Sequence, residues 1–155
     1  MNGFIVPVAY LGRVLISVLF LFTAANEVAD WQGTEQFFLL QMNKWMTLYA
    51  EQSGVAHLIG ELHAFLPTLL LVAVFFKVAG AFFLIFNFFV RLGALCLLAF
   101  IVPTTVIMHD FWHLSGIDKT LELSMFLKNT AVIGGLMTVL ALGKRGPFGS
   151  VFRAP

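Results

Sequence analysis

The chain changes character at PTTVIMHDFWH, residues 103–113. An apolar segment, residues 92–108, stops there against a histidine and an aspartate, and two aromatic residues and a second histidine follow. Pro103 has no backbone N–H, so it removes one helical hydrogen bond and favours a kink. The hydroxyls of the two threonines after it can bond carbonyls that the kink frees. The stretch predicts a membrane helix that ends in a polar and aromatic cluster at the bilayer surface.

The composition is that of a membrane protein. The 155 residues are 60% hydrophobic and only 11% charged, whereas a soluble domain is roughly half apolar and about a quarter charged. The formal net charge is +1 and the basic residues are dispersed, which gives no sign of nucleic-acid binding. A single cysteine, Cys96, excludes an internal disulfide and a dithiol redox pair within the chain.

Length and hydrophobicity predict an all-α fold, a bundle of four transmembrane helices. The expected spans are about residues 4–25, 64–86, 92–108 and 123–142, each near the length that crosses a hydrocarbon core of about 30 Å. The first span could also be a cleaved signal peptide, but apolar residues before Arg13 are unusual for the leading region of one. Residues 1–155 are expected to form a single membrane domain.

The first outward-facing loop is expected to carry an extra helix. Residues 26–63 form a long polar segment with five acidic residues against Lys44. Large apolar side chains recur within it at steps of three and four, at Phe38, Met42, Trp45 and Tyr49, and the stripe is widened by Phe37, Met46 and Leu48. This spacing predicts an amphipathic helix that lies on the membrane surface or caps the bundle, with a break at Ser53-Gly54. A plain connecting helix is the alternative.

The distribution of basic residues predicts the topology. Four spans place both termini and the turn at residues 87–91 on one side, together with Arg13, Arg91, Lys144, Arg145 and Arg153. The other side holds Lys44 and Lys119. Because cytoplasmic loops are enriched in lysine and arginine, both termini are expected in the cytoplasm. In a bacterium the chain would lie in the inner membrane, and residues 26–63 and the His109 region would face the periplasm.

Several short motifs resemble the DoxX family of bacterial inner-membrane proteins. They are Gly12-Arg13-Val14-Leu15, Pro103-Thr104-Thr105 running into His109-Asp110-Phe111-Trp112, and Phe126-Leu127-Lys128-Asn129 followed by Gly134-Gly135. The resemblance covers roughly residues 10–143 and implies a bundle of four transmembrane helices. It also implies a link to redox systems, since one related group is a subunit of a thiosulfate:quinone oxidoreductase. The chain departs from the family at Lys77, where a glutamate is often found.

A candidate ligand site lies around the polar end of the third span. Its residues are His109, Asp110, Phe111, Trp112, His113, Lys128, Asn129 and the mid-span Lys77. A quinone or another apolar ligand needs an apolar slot with a few polar groups at its mouth. His109 or Asp110 could hydrogen-bond a quinone carbonyl, and the aromatic rings could pack on the ligand. Lys128 is expected to add a cationic donor.

Two other interpretations of this cluster stay open. His109 and His113 are four residues apart, so on one helix they would share a face and could bind a metal, although they are not a complete ligand set. In a structural interpretation, Trp112 belongs to the interfacial aromatic belt, and Lys128 pairs with Asp110 or Glu122 to hold helices together.

These observations lead to three functional hypotheses. The protein is a membrane subunit of a quinone-linked redox system, a non-enzymatic scaffold or assembly protein for a periplasmic or membrane partner, or a carrier of lipids or small molecules. A homo-oligomer is compatible with each of them. Neither catalytic residues nor a cofactor are identifiable from the sequence, and quinone is one candidate.

Overall fold

The fold is helical. The computed structural model describes residues 2–143, apart from the side chains of residues 2–6 and 53. Its elements are α1 (Asn2–Ala29), α2 (Trp31–Leu48), α3 (Ser53–Ala64), α4 (Leu66–Ile85), α5 (Val90–Met108), a 3₁₀ turn (Phe111–His113) and α6 (Gly116–Leu142). Residues 2–143 contain no strand, and the predicted all-α class is confirmed.

Four helices are long and apolar enough to cross a membrane, namely α1, α4, α5 and α6. They are the same four segments in which the sequence predicts spans. The largest difference lies at α6, which begins at Gly116 and not near residue 123. Apolar content alone misses the first turns of α6 because Asp118, Lys119 and Glu122 are polar although their backbone is helical. These helices indicate a multi-pass membrane protein.

The chain divides into two compact units. One contains the residues up to Phe22 and those from Phe76 onwards, so it includes α5, α6 and parts of α1 and α4. The other contains Thr23–Phe75, with α2 and α3. The single domain expected for the whole chain stays a prediction. Three basic residues that the predicted topology counts lie outside the described residues: Lys144, Arg145 and Arg153.

The core of the first unit is built on the contact between α4 and α5. A Cβ added to Gly93 would lie 2.8 Å from the Gly80 carbonyl oxygen, and one added to Gly80 would lie 2.9 Å from the Gly93 carbonyl oxygen. Only residues without a side chain allow two helix backbones to approach so closely. The buried cluster around this crossing comprises Phe20, Ala81, Leu84, Ala94, Leu97, Ile101 and Leu136, so α1 and α6 pack on it too.

Two arginines connect the helix ends near the α4–α5 turn. Arg13 Nη1 donates to Asn87 Oδ1 at 2.8 Å, which joins α1 to the turn. Arg91 donates to the carbonyls of Ala141 and Gly143 at 2.9 and 2.8 Å. Those carbonyls belong to the last turn of α6, where no further helical amides are available. Arg91 therefore caps α6 with charged hydrogen bonds.

The α4–α5 turn contains two residues with positive φ. Asn87 has φ 54°, and Phe89 has φ 50° and ψ 44°. The left-handed region is common for Asn but uncommon for a bulky residue. The Phe89 ring meets the Phe88 ring edge-on with 4.3 Å between centroids, and it meets Phe83 at 6.3 Å. These aromatic contacts hold the turn in its conformation.

In the second unit, the predicted amphipathic segment forms two helices. Asp30 is the N-cap of α2, and its Oδ1 accepts a hydrogen bond from the Gly33 amide at 3.0 Å. The break predicted at Ser53-Gly54 falls where α3 begins. The predicted stripe is half-buried at all four positions, Phe38, Met42, Trp45 and Tyr49. The last two rings of the stripe stack with 5.3 Å between their centroids.

The glycine crossing makes a stability prediction. We expect Gly93→Ala to lower the free energy of unfolding by about 1–3 kcal/mol, the range for overpacking a core, because the new methyl group would meet the Gly80 carbonyl and Leu84. Gly134→Ala is the matched control, since no atom lies within 4 Å of its added Cβ. Thermal unfolding of the detergent-solubilised protein measures both variants. Equal midpoints would contradict the close packing of α4 on α5.

Candidate functional site

α5 ends at the polar step, and a short turn leads into α6. The helix continues through Pro103, and His109 closes it as the C-cap by donating its amide to the Thr105 carbonyl at 3.2 Å. Residues 111–113 form the 3₁₀ turn. Gly116 then starts α6 with φ 63°, a value that suits glycine. The helix end therefore lies where the sequence predicts it.

The two threonines after the proline bond carbonyls of their own helix. Thr104 Oγ1 donates to the Phe100 carbonyl at 2.8 Å. Thr105 Oγ1, which is buried, donates to the Ile101 carbonyl at 2.6 Å. The carbonyl that lacks its amide partner because of the proline is that of Ala99. The hydroxyls thus bond the carbonyls one turn before themselves, which differs from the expected role of replacing the lost bond.

His109 is paired with a carboxylate of α6. Its Nδ1 lies 2.7 Å from Glu122 Oε2, and the two side chains are 23% and 36% exposed. The contact joins residues that are 13 apart in the chain, so it closes the loop between α5 and α6. Sequence reasoning considered Glu122 only as a partner for Lys128. The early start of α6 brings Glu122 onto a helix turn beside the end of α5.

Asp110 is buried beside the second histidine. The residue is 1% exposed, and its Oδ2 lies 3.4 Å from His113 Nδ1. Burying a carboxylate is costly unless polar or charged groups surround it, and the imidazole offsets part of that cost. His109 and His113 do not share a helix face, because one caps α5 and the other lies in the 3₁₀ turn. Across residues 2–143, no group of three or more potential metal ligands is found.

Three aromatic rings pack beside these histidines. Phe111 meets both Trp112 and Phe126 with 5.2 Å between ring centroids, in edge-on geometry. Trp112 lies 6.4 Å from Phe126 and 6.0 Å from His113, and it is 43% exposed. Sequence reasoning did not include Phe126 in the site. The sequence feature that could have identified Phe126 is its spacing of four residues from Glu122, which places both side chains on one face of a helix.

The rim cluster is the set His109, Asp110, Phe111, Trp112, His113, Glu122 and Phe126. Lys128 and Asn129 were expected to join it. The structure does not bring Lys128 there, whereas Asn129 lies seven residues after Glu122, about 340° around the helix, and therefore shares the face of Glu122 and Phe126. Lys128 is exposed, and within residues 2–143 it forms no ion pair. It lies six residues after Glu122, which is about 240° around the helix at 100° per residue, so it points to another face of α6. Asn129 is half-buried.

Lys77 lies inside the first unit. It is 2% exposed, and its Nζ lies 4.1 Å from the centroid of the Phe100 ring. Phe20 contacts the same ring edge-on at 6.3 Å. A cation over an aromatic face is stabilised most when water is excluded. Phe100 precedes Asp110 by ten residues, or about 15 Å along a helix, so this contact of Lys77 lies deep within the span.

A comparison with protein-family models gives a match over residues 5–142, nearly the whole described chain, to the model described as HR-like lesion-inducing. The chain belongs to the HR-like lesion-inducing family. No curated protein matches it, and no solved structure matches it.

The family assignment corrects the resemblance to DoxX, which was wrong. The motifs that carried it are short, and each stands where many membrane bundles need such residues: arginine near a helix end, and histidine and tryptophan at the membrane boundary. Such positions make unrelated membrane proteins look alike over a few residues. Lys77, where DoxX proteins often have glutamate, is a position at which this chain departs from that family.

The histidine–carboxylate pairs of this HR-like lesion-inducing family member can be tested against each other. We expect a double-mutant cycle of His109→Ala and Glu122→Gln to give a coupling energy of about 0.5–1 kcal/mol in thermal unfolding, since the pair is half-buried and short. His57 and Glu61 are the matched control, because they are exposed and 4.0 Å apart. Their cycle should give almost no coupling. Equal coupling in both pairs would show that His109 and Glu122 do not hold the α5–α6 loop.

Proposed function

We propose that this membrane protein binds an amphipathic ligand of the lipid phase at the rim cluster. The ligand has an apolar body and a polar head with hydrogen-bond acceptors, and its head lies at the membrane boundary. The observation that carries the proposal is the partly exposed Trp112, which packs against Phe111 and Phe126 beside two histidine–carboxylate pairs. Apolar surface with a few convergent polar groups is the usual composition of a small-molecule site.

The residues of the rim cluster have separable roles in this proposal. The face of Trp112 packs on the flat or apolar part of the ligand next to its head. His109 and His113 supply N–H donors, and their carboxylate partners orient the rings. Two kinds of ligand share this chemistry: a quinone, whose head carries carbonyl acceptors, and a membrane lipid, whose head carries ester or phosphate acceptors.

Binding fits the site better than catalysis does. The imidazoles of the rim cluster face carboxylates, with His109 against Glu122 and His113 against Asp110, and such pairs orient the rings. The rim cluster itself contains no hydroxyl or thiol nucleophile. Cys96, a natural nucleophile, lies within α5 and away from the rim cluster along the chain. The expectation of a redox subunit depended on the resemblance to DoxX, so quinone enters here only as one of two candidate ligands. A separate protein partner and a homo-oligomer stay predictions.

The topology that we propose with this function places both termini in the cytoplasm and the rim cluster outside, on the periplasmic side of a bacterial inner membrane. Arg13 and Arg91 support it. Both lie at the α4–α5 turn end of α5, and the rim cluster follows the opposite end. Lysine and arginine near span ends favour the cytoplasmic side.

Tryptophan fluorescence tests the ligand site, since Trp31, Trp45 and Trp112 can be separated by substitution. The reconstituted full chain with Trp31→Phe and Trp45→Phe reports on Trp112 alone. We expect decylbenzoquinone to quench it in a saturable manner, because a bound quinone would lie against the indole. The protein that keeps only Trp45 should show non-saturable quenching from ligand dissolved in the bilayer.

Substitutions identify the ligand class. His109→Ala should weaken saturable quenching several-fold, and His57→Ala, at an exposed histidine, should leave it unchanged. A lipid ligand instead gives non-saturable quinone quenching together with a phospholipid that stays with the purified protein and is lost in Trp112→Ala. Non-saturable quenching without a retained lipid would overturn the proposal.

A further inference from the structure

Each helix of the second unit leaves a stripe of large apolar side chains uncovered. On α2, Phe37, Leu40 and Leu48 are 58%, 71% and 45% exposed. Steps of three and eight place them on one face of a helix. On α3, Val55, Leu58 and Leu62 recur at steps of three and four and are exposed as well. A soluble surface rarely carries so many large apolar residues in rows.

The exposed uncharged polar side chains of α2 lie in a sector beside its apolar stripe. On α2 the exposed polar positions are Gln32, Gln36, Asn43 and Thr47. With Phe37 at 0°, they lie between about 220° and 280° around the helix, whereas Leu40 and Leu48 lie at about 300° and 20°. Lys44 lies between those two leucines, where its stem can follow the apolar stripe while its ammonium reaches the headgroups. A helix with one apolar exposed face and one polar exposed face suits a boundary between two solvents.

The chain connections hold both helices near the membrane boundary. Asp30 alone separates α1 from α2, and Phe65 alone separates α3 from α4. Because α4 has 20 residues, or about 30 Å, its first residue lies at the edge of the hydrocarbon core. The α2–α3 segment, residues 31–64, therefore leaves and re-enters the bilayer at headgroup level.

The positions of the exposed apolar residues show whether the α2–α3 segment lies along the bilayer surface or projects from it into water. Leu48 is the last residue of α2 and is about 26 Å along the helix from Trp31. If α2 stood away from the membrane, Leu48 and the early α3 residue Val55 would be the farthest from lipid, yet both are exposed and apolar. A stripe that reaches the far end of α2 and continues along α3 fits a segment that lies along the bilayer.

We propose that α2 and α3 lie in the interfacial layer of the bilayer, with Phe37, Leu40, Leu48, Val55, Leu58 and Leu62 buried among the acyl chains. The acidic balance of the segment adds a constraint, since residues 26–63 hold five acidic residues and only Lys44 as a basic one. Apolar burial and not attraction to anionic lipid provides the binding. The surface is thus suited to zwitterionic lipid.

Site-directed spin labelling in vesicles tests this proposal on the full chain. In a Cys96→Ala background, single cysteines at Phe37, Leu40 and Leu48 are compared with cysteines at Gln36, Asn43 and Thr47, exposed positions of the same helix. In phosphatidylcholine vesicles, the ratio of nitroxide collisions with oxygen to collisions with a water-soluble nickel complex should be several-fold higher at the apolar positions. Adding phosphatidylglycerol should not raise that ratio.

Two results would overturn the proposal. Equal, high access of the nickel complex at all six positions means that the segment projects into water. Low access of both reagents at the apolar positions means that a protein, either a second copy or another chain, covers the stripe. Each labelled protein is first checked for wild-type helix content and vesicle insertion, so that an unfolded variant is not scored.

Discussion

The contact of Gly80 with Gly93 is the interaction on which the first unit depends. Lipid tails are as apolar as leucine, so apolar side chains alone gain little by leaving lipid for a helix interface. Close packing and polar contacts must therefore hold the helices together. Two opposed glycines let the backbones of α4 and α5 meet directly, and the buried cluster around them gives α1 and α6 a shared surface. This packing also positions the rim cluster, because α5 runs from the glycine crossing to His109.

The rim cluster arises from the way in which α5 stops. The helix ends at a histidine cap, a 3₁₀ turn follows, and α6 starts at a glycine with positive φ. This compact connection places aromatic rings between two helices and brings a carboxylate to each histidine. A continuous helix through residues 109–113 would instead have stacked His109 above His113, the arrangement that suggested a metal. The turn converts a potential ligand pair into two separate histidine–carboxylate pairs.

The spans could be predicted from sequence because lipid imposes a length and an apolar content on any helix that crosses it. The pairing of His109 with Glu122 in the rim cluster could not be predicted in this way. It depends on where α6 begins, and polar residues such as Asp118 hide the helix start from a hydropathy argument. Once Gly116 is the start, the helical phase puts Glu122 and Phe126 toward the cluster and turns Lys128 away. For a related reason, periodicity alone does not show which residues of the α2 stripe other helices cover: Phe38 is half-buried, whereas its neighbour Phe37 is exposed.

Lys77 and Lys128 illustrate why a charge within an apolar segment has no single interpretation. Lys77, in the middle of α4, is buried in the protein with its ammonium over Phe100. Lys128 is exposed on α6, where side chains lean toward the helix N-terminus and hence toward the rim end. Its stem can lie along apolar surface while its ammonium reaches the polar boundary. The helix face separates the two outcomes more than the depth does, because Lys77 lies 11 residues after the first residue of α4 and Lys128 lies 12 residues after the first residue of α6. Lys77 faces the protein interior, whereas Lys128 is on an exposed face and must extend along the helix to reach a polar boundary.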